Sequence, residues 1–276
     1  MTTMFPHGRW LLCPSTYFDV TYEINPWMSI QRSPMPVAAN QQWRMLHHTL
    51  IRLGVDVRYV DPVQGLPDLV FTANAGLVKG KQVIISRFRY PERKGEEPVF
   101  SKWFSDRGFE IHQVTKGDFE GEGDALFAGE KLFGGYGFRS DQSVYDEIAK
   151  LFQPSEMILC EMVNPRFYHL DTCFCPISDS AALFHRDAFA PESITRMEKH
   201  IELIEVPKDD AERFVCNAVV LGSDIVMPSG CDKTYDLLRK RGITCHGVEL
   251  NEFLKGGGSA KCLSLKLERG LGTPDF

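Results

Sequence analysis

The segment LKGGGSAKCLSLKL places Cys262 at the start of an apolar stretch, just after Gly256, Gly257 and Gly258. Consecutive glycines let a backbone approach a bound group closely, and a thiol placed there is a nucleophile once ionised. A phosphate-binding loop would need Gly-Lys-Ser/Thr at this point, where the chain has Ala260-Lys261-Cys262. Taken alone, Cys262 reads more readily as a buried structural thiol. His169-Leu170-Asp171 is the second candidate. Strand alternation would put His169 and Asp171 on one face, where the carboxylate could orient the imidazole for proton transfer; the plain alternative is a core histidine. The third is Phe119-Glu120-Gly121-Glu122-Gly123-Asp124. Three acids so close together repel one another unless a cation is held between them, and a guanidinium suits paired carboxylates through its fork of donors. A solvated turn is the alternative. The fourth is a pair of arginine-bearing segments, RFRYPER ending at Arg93 and GFRS containing Arg139. Either arginine could bind a carboxylate or lie on the surface.

Residues so far apart in sequence act together only if the fold converges them, and the chain repeats one unit. Five short strands each follow a helical stretch: Val55 to Val60, Phe109 to Val114, Met157 to Met162, Ile201 to Val206 and Ile243 to Val248. Three come after Gly54, Gly108 or Gly242, the left-handed stop expected at a helix C-terminus. Trp43, Leu46, Leu50 and Leu53 share one helical face, as do Phe100, Trp103 and Phe104, and Val144, Ile148 and Leu151. Ser140 is the expected N-cap of the third helix and Pro154 its stop. Each unit continues into a more apolar strand carrying one polar or reactive residue: Asn74, Asp124, Asp171, Asn217 and Cys262, spaced 50, 47, 46 and 45 residues apart. In four units a polar turn and a third strand follow. The fifth has no room for one, and Trp10 to Cys13 could complete it. The expectation is a single α/β domain over residues 1–276, a pseudo-fivefold symmetric α/β propeller with its special residues facing one central channel. An ordinary α/β sandwich is the alternative.

Composition narrows the partners. A formal net charge of −6 disfavours a nucleic-acid binder. The N-terminal residues MTTMFPHGRW lack a charged segment followed by an apolar run, and no stretch approaches the roughly 18 apolar residues of a membrane helix. A cytoplasmic protein without membrane or nucleic-acid partners is expected, its eight cysteines kept as thiols. Cys173-x-Cys175 lacks the further ligands of a metal site.

Together, LVFTANAG, RFRYPERKGEE, FEGEGDALF, GYGFRSD, RFYHLDTCFCPI, CNAVV and GGGSAKCLSL resemble the amidinotransferase superfamily, or pentein fold, from about Trp10 to Leu267. Arginine deiminases, dimethylarginine dimethylaminohydrolases and glycine amidinotransferases belong to it. The nearest likeness is to the arginine dihydrolase domain at the front of larger cyanobacterial proteins. The resemblance implies Cys262 as nucleophile, His169 as acid/base and Glu120 as guanidinium ligand. It further implies substrate contacts from Asp124, Asp171, Arg93, Arg139, Asn25 and Asn74, the second asparagine being tied to a dihydrolase outcome. It implies arginine or a methylated arginine as substrate, and neither metal nor organic cofactor. It leaves homo-oligomerisation open. Dihydrolase, deiminase and dimethylargininase are the competing activities, and a non-catalytic arginine-binding protein is the competing class. Two departures stand out. E-G-E-G-D is one residue longer than the E-G-G-D of arginine deiminases, making Glu122 a rival to Glu120. GSDIVMPSGC is more like the dimethylargininase pattern.

Overall fold

The computed structural model describes residues 5–267. It contains five three-stranded sheets of one build. In each, an antiparallel pair is extended by a parallel strand. Gly76–Lys79 runs antiparallel to Gln82–Ile85, which runs parallel to Glu110–His112. Ala125–Ala128, Lys131–Tyr136 and Glu156–Glu161 repeat the pattern, as do Phe174–Pro176, Ala181–Phe184 and Glu202–Glu205. Val219–Leu221, Asp224–Pro228 and Thr244–Val248 form the fourth set. The fifth joins the two ends of the chain: Leu265–Lys266 pairs antiparallel with Arg9–Leu12, which runs parallel to Asp56–Tyr59. The N-terminal strand thus supplies what the last unit lacks.

The parallel step in every sheet needs a crossover, and a helix provides it. Pro36–Arg52 buries Trp43, Leu46 and Leu50, and Glu96–Ser105 buries Phe100, Trp103 and Phe104. Gly54, Gly108 and Gly242 follow their helices with φ of 87°, 77° and 77°, as the stop signal requires. The third helix begins later than expected, at Tyr145, after a 3-10 turn over Gln142–Val144. Ser140 is therefore not its N-cap, and its hydroxyl is used elsewhere. Among the described residues, no helix is long and apolar enough to cross a membrane. All eight cysteines are free.

The five special residues do not lie on strands. Each sits in or beside a buried turn just before the first strand of its sheet: Thr72–Ala75 for Asn74, Gly121–Gly123 for Asp124, and Leu170–Thr172 for Asp171. A strand would have aimed alternate side chains at opposite faces. A 3-10 turn aims successive residues in three directions, so the side chains at one turn serve different neighbours.

Hydrogen bonds link these turns in a cycle. Asn74 Nδ2 donates to the carbonyl of Glu120, 3.1 Å, and Asp124 Oδ1 accepts from the Leu170 amide, 3.1 Å. Asn217 Nδ2 donates to the Asp171 carbonyl, 3.1 Å, and Asn217 Oδ1 accepts from the Cys262 amide, 3.0 Å. The Ala73 amide donates to the Cys262 carbonyl, 3.1 Å. Close approach of the turns depends on glycine. Gly121 has φ of 60°, and a Cβ there would stand 2.8 Å from Gly76 N and 2.9 Å from Ala73 O. Gly121→Ala should cost more than the ~1–2 kcal/mol of a left-handed L-residue, because backbone must also move. Gly65→Ala, at φ of 87° with open space around it, should cost no more than that conformational term of about 1–2 kcal/mol. Urea unfolding of both variants checks the difference.

Candidate functional site

A small cavity opens at these turns. Cys262, Asn74, Arg93, Arg139, Asn25 and Asp68 are among the residues lining it, with Tyr168 and Met28.

At the sulfur, Cys262 Sγ lies 3.2 Å from Asp171 Oδ2 and 3.0 Å from Asn217 Nδ2. Burial and the Asp171 carboxylate push the thiol pKa well above its ordinary value, so the resting site holds a thiol that donates to Asp171. Burial likewise raises the Asp171 carboxyl to about 7, against the pull of Lys261. Its Oδ1 is buried without a hydrogen-bond partner among the described residues.

A charged cluster adjoins the cavity through Arg139, which lines it. Glu120 Oε2 lies 2.7 Å from His169 Nε2 and 2.8 Å from Arg139 Nη1. Burial would raise the Glu120 carboxyl, but Arg139, His169 and Arg93 together hold it well below the usual carboxylate range. Glu120 is thus ionised and orients the imidazole. That differs from the sequence reading, in which Asp171 was to orient His169. The two residues flank Leu170 but aim apart, His169 at Glu120 and Asp171 at Cys262.

The turn between Glu120 and Glu122 sends these two rivals apart. Glu120 points into this cluster, whereas Glu122 points the other way, its Oε2 2.8 Å from Lys261 Nζ. Asp124, expected to contact substrate, has both oxygens occupied by the fold: Ser140 Oγ donates to Oδ2 at 2.7 Å and the Leu170 amide to Oδ1. Its place is behind His169, where it fixes the turn that carries the imidazole. Burial raises its carboxyl to about 6. Ser140, meanwhile, accepts from the Glu120 amide, 3.0 Å.

The two arginines flank the cavity. Arg139 lies between the rings of Tyr90 and Tyr168, at 4.7 and 4.6 Å. Arg93 is held by Glu96 in a bidentate pair, 2.8 Å for each bond, and donates Nη1 to Asn74 Oδ1 at 2.9 Å and Nη2 to the Asp68 carbonyl at 3.3 Å. Of the guanidinium's five N–H groups, four are engaged among the described residues, leaving one Nη1 hydrogen for a ligand. Asn25 anchors the segment over the cavity: its Nδ2 donates to the Gly256 carbonyl, 3.1 Å, and its Oδ1 accepts from the Trp27 amide, 2.9 Å.

Asp68, Tyr168 and Asn217 escaped the sequence reading as site residues. Asp68 lines the cavity beside Arg93. Its Oδ2 accepts from Tyr22, 2.9 Å, while Oδ1 is buried without a partner among the described residues. A single Asp after a proline gives no signal in one sequence. Asn217 did stand out as a repeat position, and that was the available clue. Among the described residues, no group of three His, Cys, Asp or Glu side chains is arranged to hold a metal. Cys173 and Cys175 are buried in the apolar core.

One residue tests this geometry. A Cβ on Gly123 would stand 2.3 Å from Asn74 Nδ2 and 3.2 Å from the His169 ring. Gly123→Ala should leave the protein folded and lower turnover by about 100-fold, the effect of a displacement near 1 Å at a reacting group. Steady-state rates beside a thermal melt would separate this from unfolding.

The model of the eukaryotic N,N dimethylarginine dimethylhydrolase family matches residues 26–269. The bifunctional arginine dihydrolase/ornithine cyclodeaminase ArgZ of Synechocystis sp. is 43% identical over 267 residues, covering 94% of this chain and 37% of its own length. The chain therefore spans well under half of that relative. The N(G),N(G)-dimethylarginine dimethylaminohydrolase of Mycobacterium tuberculosis is 38% identical over 260 residues, covering 94% of this chain and 85% of its own. The crystal structure of the N-terminal domain of ArgZ, a mutant bound to substrate, superimposes with a TM-score of 0.91 at 41% identity, covering 95% of this chain and 98% of that one. The chain belongs to the dimethylarginine dimethylaminohydrolase family, within the pentein superfamily.

Proposed function

We propose that this protein hydrolyses the guanidinium group of free arginine through a covalent adduct on Cys262, as an arginine dihydrolase. The observation that carries the reading is the sharing of one small cavity by the Cys262 thiol and two buried arginines, with the Asp171 carboxylate against the sulfur. Such a cavity suits a ligand with a carboxylate at one end and a cation at the other. Arg93 and Arg139 meet the carboxylate, and the unpaired oxygen of Asp68 suits an α-ammonium. Asp171 and Glu120 then flank the guanidinium, with Asn25 and Asn74 closing the sides. We further infer that the five sheets close into a pseudo-fivefold α/β propeller forming one domain; the cycle of hydrogen bonds between turns supports this.

In the chemical sequence, the arriving guanidinium takes the place of the thiol hydrogen at Asp171, the thiol proton passes to His169, and the guanidinium charge stabilises the thiolate left behind. Sulfur attacks the guanidinium carbon. His169, held by Glu120, gives a proton to the departing ammonia and leaves an S-alkylthiouronium. Water, deprotonated by the now neutral His169, displaces the sulfur and gives citrulline. In a second round the thiolate attacks the ureido carbon and expels ammonia. Water then hydrolyses the thiocarbamate to a carbamate, which loses carbon dioxide to yield ornithine.

Incubation with labelled arginine followed by mass spectrometry tests the reading. Ornithine with two ammonia per arginine is expected, and Cys262→Ser should abolish both. Asn74→Ser should stall the second round, with citrulline accumulating. Dimethylarginine is the second reading, favoured by the family match and by the Mycobacterium relative. Release of dimethylamine in place of ammonia would establish it, and inertness toward both substrates would sink the enzyme reading. The pH profile follows from Asp171, which binds a guanidinium only when ionised. Since its carboxyl sits at about 7, kcat/KM should rise with pH through that value. Bound guanidinium favours the carboxylate, so the acid limb of kcat should lie lower.

A further inference from the structure

Glu122 is the extra residue of the acidic motif, and Lys261 precedes the nucleophile. These two residues meet in the core. Lys261 Nζ lies 2.8 Å from Glu122 Oε2, with side chains 9% and 0% exposed. It also donates to the Ser264 carbonyl at 3.3 Å. Lys261 and Cys262 are neighbours that serve opposite sides. Cys262 lines the cavity described above, and Lys261 lines a second cavity with Phe174, Cys175 and Cys216. Their backbones hang from one residue, since the Lys261 amide donates to the Asn217 carbonyl, 3.2 Å, and the Cys262 amide to Asn217 Oδ1.

A buried ion pair is a poor source of stability, because desolvation offsets its attraction and an apolar pair often serves as well. Its place here is better explained by charge. We propose that Lys261, held in place by Glu122, is a positioning residue that sets the balance of charge at Asp171 and Cys262 on the far side of the nucleophile turn. The inference rests on the reading of Cys262 as nucleophile. Facing Asp171 are Cys262, Lys261 and Glu122 from other repeats, and Tyr168, Cys173 and Cys175 from its own. Of these, Lys261 and Glu122 form the buried ion pair, and they act in opposite directions on Asp171, Lys261 lowering its pKa and Glu122 raising it.

That opposition supplies the test. Loss of Lys261 should make the Cys262 thiolate harder to form, and loss of Glu122 should make it easier. Iodoacetamide alkylation of Cys262, followed by peptide mapping across pH, reads this without substrate. Lys261→Met should move the profile to higher pH by about one unit, near the lower end of what a nearby charge imposes. Glu122→Gln should move it to lower pH. The double variant should return toward the parent, and Lys261→Arg should keep the parent profile. The acid limb of kcat/KM should move in the same directions. A single variant that strands a buried charge can fail to fold. The double variant and Glu122→Gln then decide the matter, since the proposal requires their profiles to differ. Shifts in one direction for both single variants, or unshifted profiles in folded protein, would overturn it. Expected shifts in alkylation without arginine turnover would leave this inference standing and remove the substrate assignment instead.

Discussion

The structure depends on one constraint: polar residues at five buried turns must find hydrogen-bond partners away from water. An unpaired buried polar group costs about 1–3 kcal/mol. Each turn meets the requirement by bonding to the turn of the next repeat, from Asn74 to Glu120, Asp124 to Leu170, Asp171 to Asn217, Asn217 to Cys262 and back to Ala73. The bonds that position the reactive groups are therefore the bonds that join the repeats. A shift in one turn is passed to its neighbours, because few of these atoms have a water to fall back on. The arrangement explains why glycine is needed at Gly121 and Gly123, where backbones and side chains of adjacent repeats approach closest.

The same crowding creates the site's electrostatics. Asp68, Glu96, Glu120, Glu122, Asp124 and Asp171 are all buried, against Arg93, Arg139 and Lys261. Acids exceed cations, and the imbalance appears as raised carboxyl pKa values at Glu96, Asp124 and Asp171, led in each case by burial. Glu120 escapes because Arg139 and His169 both bond to it. A cationic ligand entering beside Cys262 relieves the imbalance at Asp171, whose second oxygen is without a partner among the described residues.

The sequence revealed the repeat because its signals are redundant. Apolar hairpins, helix-ending glycines and near-constant spacing all agree, and the incomplete fifth unit pointed to the N-terminal strand. The turns were hidden. FTANAG and HLDTCF contain the β-branched and aromatic residues of strands, and burial removes the polarity that marks a surface turn. Reading them as strands led to the wrong partner for His169, since alternation pairs it with Asp171 while a 3-10 turn sends the two apart. Ser140 misled for a related reason. A serine ahead of a helix reads as a cap, yet here a 3-10 turn intervenes and the hydroxyl joins Glu120 to Asp124. Asp68 was beyond reach, because its significance lies in one oxygen without a partner among the described residues.

The dihydrolase reading makes a further demand on the sulfur. In the first attack the substrate is a cation, and its charge favours the thiolate. In the second the ureido group is neutral, so that help is gone. The thiolate must then be sustained by the chain itself, and two features are placed to do so. Asn217 Nδ2 donates directly to the sulfur, 3.0 Å away, and Lys261 lies one residue along the backbone with its ammonium buried, where charge is weakly screened. Asp171 opposes them while ionised, and it reprotonates most easily when no guanidinium is bound. A single-round hydrolase can leave sulfur activation to its substrate. An enzyme that attacks twice needs part of that activation built into its own core.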